Sequence, residues 1–246
     1  MNETIPAWSF SRLDDFESCN YKARLKYIDK IPQPPLIPPE GKDEHPLKRG
    51  RRIHDLAEMY VTKNIELAPE LQHFEDAFND LRTLYRTSPE TVAVEEDWAF
   101  SHDWSKTGWF SNNTWGRLKL DCAVTVDSPM RVIDYKTGKK YPPKHSQQGQ
   151  LYGLVASLRH PEIERFKVEF WYLDTGETLE RDYSRIQLKI FQDDFTHRAL
   201  TMTTATDFPP RPSMFACRFC PYSTSKQGNG FCEYSYDFEL QSKKEN

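Results

Sequence analysis

The hydrophobic period of this chain changes near Thr91, and that change limits the possible folds more than any other feature. Upstream, apolar residues recur at helical spacing. In "SFSRLDDFESCNYKARLKYIDK" the residues Leu13, Phe16, Tyr21, Leu25 and Ile28 keep a rough stripe. Ser11 and Asp14 stand at capping-box spacing, which predicts one continuous first helix. Further helices are expected over about residues 47–63 and 69–85. Between the first two, "IPQPPLIPPEGKDEHP" carries six prolines in sixteen residues and reads as an extended loop. Downstream of the change, "TVAVEEDWAF", "WGRLKLDCAVTV" and "MRVIDYK" read as three strands. A helix over about 145–159, a hairpin turning at "DTGE" and a last helix over about 187–204 follow. The tail from Phe208 to Glu239 is irregular and bears cysteines. Helices that lead into and flank strands of this kind predict a mixed α/β fold with a mixed central sheet. No internal repeat breaks the chain, and 246 residues suit a single domain, 1–246.

Charge narrows the function. The net charge of −4 does not advertise nucleic-acid binding by the molecule as a whole. Two basic islands stand out locally, "LKRGRR" at residues 47–52 and "KTGKKYPPKH" at 136–145. No stretch is long and apolar enough to span a bilayer. "MNETIPAWSF" lacks the basic and apolar regions of a secretory signal, so a cytoplasmic protein with no membrane partner is expected.

Four polar residues occupy places where apolar ones are expected. His54 lies among Ile53, Ala57 and Val61 on the inward side of its helix. Asp121 ends the alternation in "RLKLDCAV". Asp134 and Lys136 are two apart on a strand and point to one side. Carboxylates on adjacent strands suit a hard divalent cation such as Mg²⁺, and a histidine ligand is tolerated better by Mn²⁺. A cation held by His54, Asp121 and Asp134 can polarise a phosphodiester and acidify water, while Lys136 orients the water or stabilises developing charge. Downstream, "QQGQLYGLVASL" sets Gln148 and Tyr152 four apart on one helical face, placed to contact substrate backbone. Read without function, the same residues are a core histidine, a turn cap, an ion pair and an amphipathic surface. Trp104, Trp109 and Trp115, near Asn112 and Asn113, are read as core and hairpin residues, with strand stacking as the alternative.

The five cysteines are an odd count for a disulfide framework. Cys217 and Cys220 have Cys-x-x-Cys spacing, Cys232 can be a third ligand, and Cys19 is the free candidate for a fourth. Cys122 follows Asp121 on a strand, faces the other side and reads as a small core residue. On spacing alone the four can hold a zinc ion or a [4Fe–4S] cluster.

"GRRIH", "LKLD", "VIDYKTG" and "QGQLYGL", in that order, resemble the motifs of the RecB-like branch of the PD-(D/E)XK nucleases. The resemblance covers about residues 8–234 and matches His54, Asp121, Asp134, Lys136, Gln148 and Tyr152 to the family's positions. It implies a metal-dependent DNA nuclease, an exonuclease on single strands or DNA ends, working in recombination, repair or CRISPR-type spacer processing. One cysteine in the first helix and three near the C-terminus resemble the iron–sulfur members, including the Cas-four CRISPR-associated exonucleases and the AddB-type helicase-nuclease subunit. That implies a structural [4Fe–4S] cluster on Cys19, Cys217, Cys220 and Cys232, clasping residues 1–30 to 207–236. The eleven residues between Cys220 and Cys232 are more than these families usually show. No phosphate-binding loop of a helicase is present in the sequence. The rival readings are a DNA-binding or assembly factor on an inactive nuclease fold, and a zinc-stabilised nuclease-like protein.

Overall fold

A computed structural model describes residues 4–126 and 128–236. The chain forms two compact units, one of Met1–Leu36 with His197–Asn246 and the other of Ile37–Thr196. In chain order the helices are α1 (Phe10–Ser18), α2 (Asn20–Tyr27), α3 (Pro46–Thr62), α4 (Glu75–Thr87), α5 (Pro142–Arg159), α6 (Arg185–Thr203) and α7 (Met214–Arg218). The strands are β1 (Val92–Phe100), β2 (Lys106–Thr107), β3 (Gly116–Val124), β4 (Met130–Lys136), β5 (Arg165–Tyr172) and β6 (Glu177–Ser184). Among the described residues no helix is long and apolar enough to cross a membrane.

The second unit holds the sheet, in the order β2-β1-β3-β4-β5-β6. Every neighbouring pair is antiparallel except β4 and β5, which run parallel from Met130↔Phe166 to Lys136↔Tyr172. A parallel pair needs a crossover, and α5 supplies it. The mixed sheet flanked by helices is the architecture expected from the change of period.

One core joins Ile53, Ala57 and Val61 of α3 and Phe78 of α4 to Cys122 and Tyr135 of β3 and β4. Phe74 stacks on Trp171 at 4.9 Å beside them. Helix α5 lies unusually close to its neighbours. A Cβ on Gly149 would come within 3.1 Å of Phe170, and one on Gly153 within 2.8 Å of Leu188. The glycines of "QQGQLYGL" thus set the depth at which this helix meets the sheet.

In the first unit, α1 and α2 are separate helices. Cys19 breaks them with an extended backbone, φ −164° and ψ 112°. Asp15 secures the bend: its carboxylate takes Lys22 at 2.6 Å, Lys26 at 2.7 Å and the Tyr27 hydroxyl at 2.6 Å. Burial raises the Asp15 pKa, but these partners outweigh burial and hold it below the usual carboxylate range. A small apolar group of Leu25, Cys220 and Tyr222, with Tyr21 and Cys232 against it, fills the space beside α2.

Several sequence expectations are corrected at element ends. The single first helix is two helices, because its apolar stripe gave no sign of the break at Cys19. Its cap is Ser9, which accepts the Arg12 N–H, and not Ser11. The helix expected at 69–85 opens as a 3₁₀ turn over Pro69–Phe74. Helix α5 starts at Pro142, three residues before the expected His145, with proline in the first turn where its missing N–H costs nothing. The short β2 and α7 were not foreseen. The tail reading reaches Glu239 and so passes outside the described residues after Tyr236, as the first three residues of the N-terminal reading do.

Candidate active site

Strands β3 and β4 pair only at Cys122↔Ile133, Ala123↔Val132 and Val124↔Arg131. Asp121 and Asp134 are the next residues in that register, at the point where the strands part. The Asp121 side chain enters the split: Oδ2 accepts the Tyr135 N–H at 2.7 Å, replacing a ladder bond that the parted strands no longer make. Both carboxylates are buried.

Asp134 and Lys136 share a face as their spacing predicts, and Nζ lies 2.5 Å from Asp134 Oδ2. That contact lacks hydrogen-bond geometry, so Oδ2 accepts no hydrogen bond in a buried position. Oδ1 accepts the Tyr152 hydroxyl at 2.7 Å. Gln148 accepts from Lys136 at 3.0 Å and donates to the Tyr152 oxygen at 2.7 Å. Gln148 and Tyr152 thus meet Asp134 and Lys136 directly, whereas the sequence reading pointed them at substrate backbone. Beside Lys136, His145 bonds the Tyr172 hydroxyl at 2.7 Å. Burial, then the charges of Lys136 and Lys144, lower its pKa to about 4.

His54 reaches the site from α3, with Nδ1 3.1 Å from Asp121 Oδ1. Burial alone lowers the His54 pKa. The Asp121 hydrogen bond and the charges of Asp121, Asp134 and Glu95 outweigh it and lift the value to about 9. The Asp121 pKa is raised, first by burial and then by the charge of Asp134.

The residue that sequence reasoning missed is Glu95. It lies on β1 with a left-handed backbone, φ 51°, a conformation costly for a residue with a side chain. Val94 on one side packs against the core under α3 and α4, whereas Trp98 beyond it lies beneath Arg159 of α5. The register of β1 with β3 passes from Val94↔Cys122 to Glu96↔Leu120 and skips Glu95. Its Oε2 pairs with Lys119 at 2.7 Å, and its buried Oε1 has no hydrogen-bond partner. Ligand atoms of His54, Glu95 and Asp121 lie within 4.8 Å of one another. The expected ligand set was His54, Asp121 and Asp134; the structure groups the first two with Glu95, and Asp134 pairs with Lys136. The signal available in the sequence was the run Glu95-Glu96-Asp97 inside a strand, where acids are depleted.

The two basic islands flank this site. Asp174, in the turn after β5, takes Arg49 bidentately at 2.6 and 3.0 Å and accepts the Gly138 N–H at 2.7 Å. One carboxylate thereby ties the start of α3 to the turn that follows Lys136. Gly138 sits at φ +83°, and a Cβ on Gly50 would stand 3.2 Å from Thr137 Oγ1. Arg52 pairs with Glu44 and Glu70, and Lys140 with Glu177, so part of each island is structural.

The first unit holds the other predicted constellation. Cys19, Cys217, Cys220 and Cys232 all line one cavity, along with Lys22 and Tyr234. Cys217 and Cys220 are buried, and Cys19 and Cys232 partly so. Burial raises the thiol pKa values of Cys220 and Cys232. Cys122 lies apart in the core of the second unit, where burial pushes its thiol up to about 12. Among the described residues, no three cysteine sulfurs come within 4.8 Å of one another.

An acid and a lysine at the split of a mixed sheet, facing a helix-borne histidine, make the framework of a phosphodiester-hydrolysing protein. The family is narrower than that. Residues 7–225 match the PD-(D/E)XK nuclease superfamily, and the chain belongs to it. Solved structures similar to the chain include that of SSO0001, at 11% identity over 94% of this chain and 88% of that one, with a TM-score of 0.38. Another is a Eubacterium rectale protein described as a "putative exonuclease", at 14% identity over 87% of this chain and 86% of that one, with a TM-score of 0.47. No curated protein sequence matches at a significant level.

Metal dependence should separate the two halves of the site. Glu95→Gln and His54→Ala are each expected to raise the Mn²⁺ concentration for half-maximal cleavage by at least about ten-fold, the lower end for groups that support a metal ligand. Titrating Mn²⁺ against cleavage and, by calorimetry, against binding checks this. An equal loss of rate at every metal concentration would show that neither residue serves the cation.

Proposed function

We propose that the protein is a Mg²⁺- or Mn²⁺-dependent DNA exonuclease acting on single strands or DNA ends, of the RecB-like branch of its superfamily. The observation that carries this reading is the buried Glu95 Oε1, which has no hydrogen-bond partner and lies 3.9 Å from His54 Nδ1 in the group His54, Glu95 and Asp121. Native proteins rarely leave such oxygens unsatisfied, and a hard cation satisfies them. His54, Glu95 and Asp121 are the residues that would hold it, with Asp134 beside Asp121 in the strand register. The cation supplies a Lewis acid for the phosphodiester and makes water more acidic.

The protein groups do the rest. Lys136 presents an ammonium fixed by Asp134 and Gln148, so positive charge stands ready for the phosphate as negative charge develops, with no side-chain reorganisation. Tyr152 holds Asp134 by its hydroxyl; burial first, then the charge of Asp134, keep that hydroxyl protonated far above neutral pH. It therefore acts as a donor. Recombination, repair or spacer processing is the setting this reading suits.

The same reading includes a structural [4Fe–4S] cluster on Cys19, Cys217, Cys220 and Cys232. The common cavity supports it.

The test is digestion of DNA labelled at either end, single-stranded, duplex and circular, with Mg²⁺ and with Mn²⁺. Release of labelled mono- or short oligonucleotides from one end, with circles untouched, is the expected result. Nicking of circles would make it an endonuclease, and no cleavage with either metal would overturn the reading.

A further inference from the structure

The β2–β3 connection presents an aromatic and a cation to solvent in a rigid frame. Phe110 is 88% exposed at the tip of residues 108–114. The loop is tied internally: Thr114 donates to the Gly108 carbonyl at 2.6 Å, Thr107 to Asn113 at 2.7 Å, and the Ser111 N–H to the Gly108 carbonyl at 3.1 Å. Arg117 of β3 lies under the tip. Its guanidinium is 5.4 Å from the Trp109 ring and 6.0 Å from the Phe110 ring, with Nε donating to the Trp109 carbonyl at 3.0 Å. Among the described residues no carboxylate pairs with Arg117. Lys119, two residues along the same face of β3, is already held by Glu95, and Asp97 is its partner across the ladder. Trp104 and Trp115 are buried and stack with core rings, so the exposed chemistry of this region belongs to Phe110, Trp109 and Arg117.

We infer that this loop is a platform for single-stranded DNA leading to the active site: Phe110 stacks a base, and Arg117 takes the adjoining phosphate. The inference rests on the nuclease reading above and deepens it by naming the substrate form. An exposed ring beside a half-buried guanidinium with no carboxylate partner matches what a single strand offers and a duplex does not, an unstacked base next to a phosphate. Distance agrees. Arg117 and Asp121 are four residues apart on β3, about 13 Å. That is roughly four stacked nucleotides at 3.4 Å each, fewer if the strand is extended. Internal ties keep the ring fixed, so little entropy is lost when a base settles on it.

The test uses the full chain carrying Lys136→Ala, so that bound DNA survives. Affinity is measured for oligo-dT, for the same backbone with abasic sites, and for duplex. Phe110→Ala should weaken oligo-dT binding roughly 5- to 150-fold, the range for loss of one stacked base. Phe110→Trp should restore it. On the abasic strand the Phe110→Ala and parent chains should bind alike. Arg117→Gln should reduce the slope of log affinity against log salt by about 0.7, one phosphate of a single strand. Unchanged thermal unfolding of Phe110→Ala confirms the fold, since the ring is exposed. Equal oligo-dT affinity of parent and Phe110→Ala would overturn the platform and leave the nuclease reading standing. A parent chain that binds no DNA of any form would overturn both.

Discussion

Lys136→Ala should lower phosphodiester cleavage by about a hundred- to a thousand-fold, the loss typical of one preorganised charge-stabilising donor, or about 2.7–4 kcal/mol of barrier. The fold should survive, because the ammonium is partly exposed and its removal frees Gln148 to donate or accept elsewhere. Asp134 is different. It is 3% exposed and accepts the Tyr152 hydroxyl, so alanine there would leave a buried donor without an acceptor, costing about 1–3 kcal/mol of stability. Asp134→Asn is the cleaner variant: it keeps an acceptor and removes the charge. Single-turnover cleavage at saturating Mn²⁺, beside a thermal melt of each variant, separates catalysis from folding. Near-parental cleavage by Lys136→Ala would remove the lysine from the chemistry.

The second large effect is expected at the cysteine cavity. Anaerobically purified protein should be brown and contain about four iron atoms per chain. Serine at Cys19, Cys217, Cys220 or Cys232 should bleach it and destabilise the first unit, because the binding energy of such a group is folding energy. Each kcal/mol lost lowers the midpoint by roughly 2–4 °C at this chain length. Cys122→Ser should keep its colour and iron, yet lose stability by burying a hydroxyl in an apolar core. Iron and zinc content across the five single variants is the decisive measurement. A colourless parent holding one zinc would replace the cluster with a zinc site on the same residues. Full iron in Cys19→Ser would free the N-terminal cysteine from it.

What was legible in the sequence depended on whether periodicity carried it. Asp134 and Lys136 were readable because a strand alternates with period two, so residues two apart share a face. His54 was readable because Ile53, Ala57 and Val61 around it on α3 are core residues. Glu95 was hidden for the opposite reason. Its place in the site comes from a left-handed backbone at a non-glycine residue, which no local pattern announces. Cys19 was grouped with the C-terminal cysteines and lines one cavity with them, but the helix break at Cys19 was not legible, because the apolar stripe runs through it. Asp15 escaped notice as well: an acid in a helix reads as solvated surface until Lys22, Lys26 and Tyr27 are brought onto it from the next helix.

The make-up of the first unit has a consequence for synthesis. The second unit is one uninterrupted stretch, Ile37–Thr196, and leaves the ribosome as one piece. The first unit cannot, because Cys19 emerges more than two hundred residues before Cys232. At about 5–20 residues per second, the N-terminal helices wait for roughly ten seconds or longer for their partners. During that interval the cleavage site can assemble while the thiols stay open to iron donors, to zinc or to oxidants. The order of translation thus completes the chain segment of the second unit well before that of the cysteine cavity.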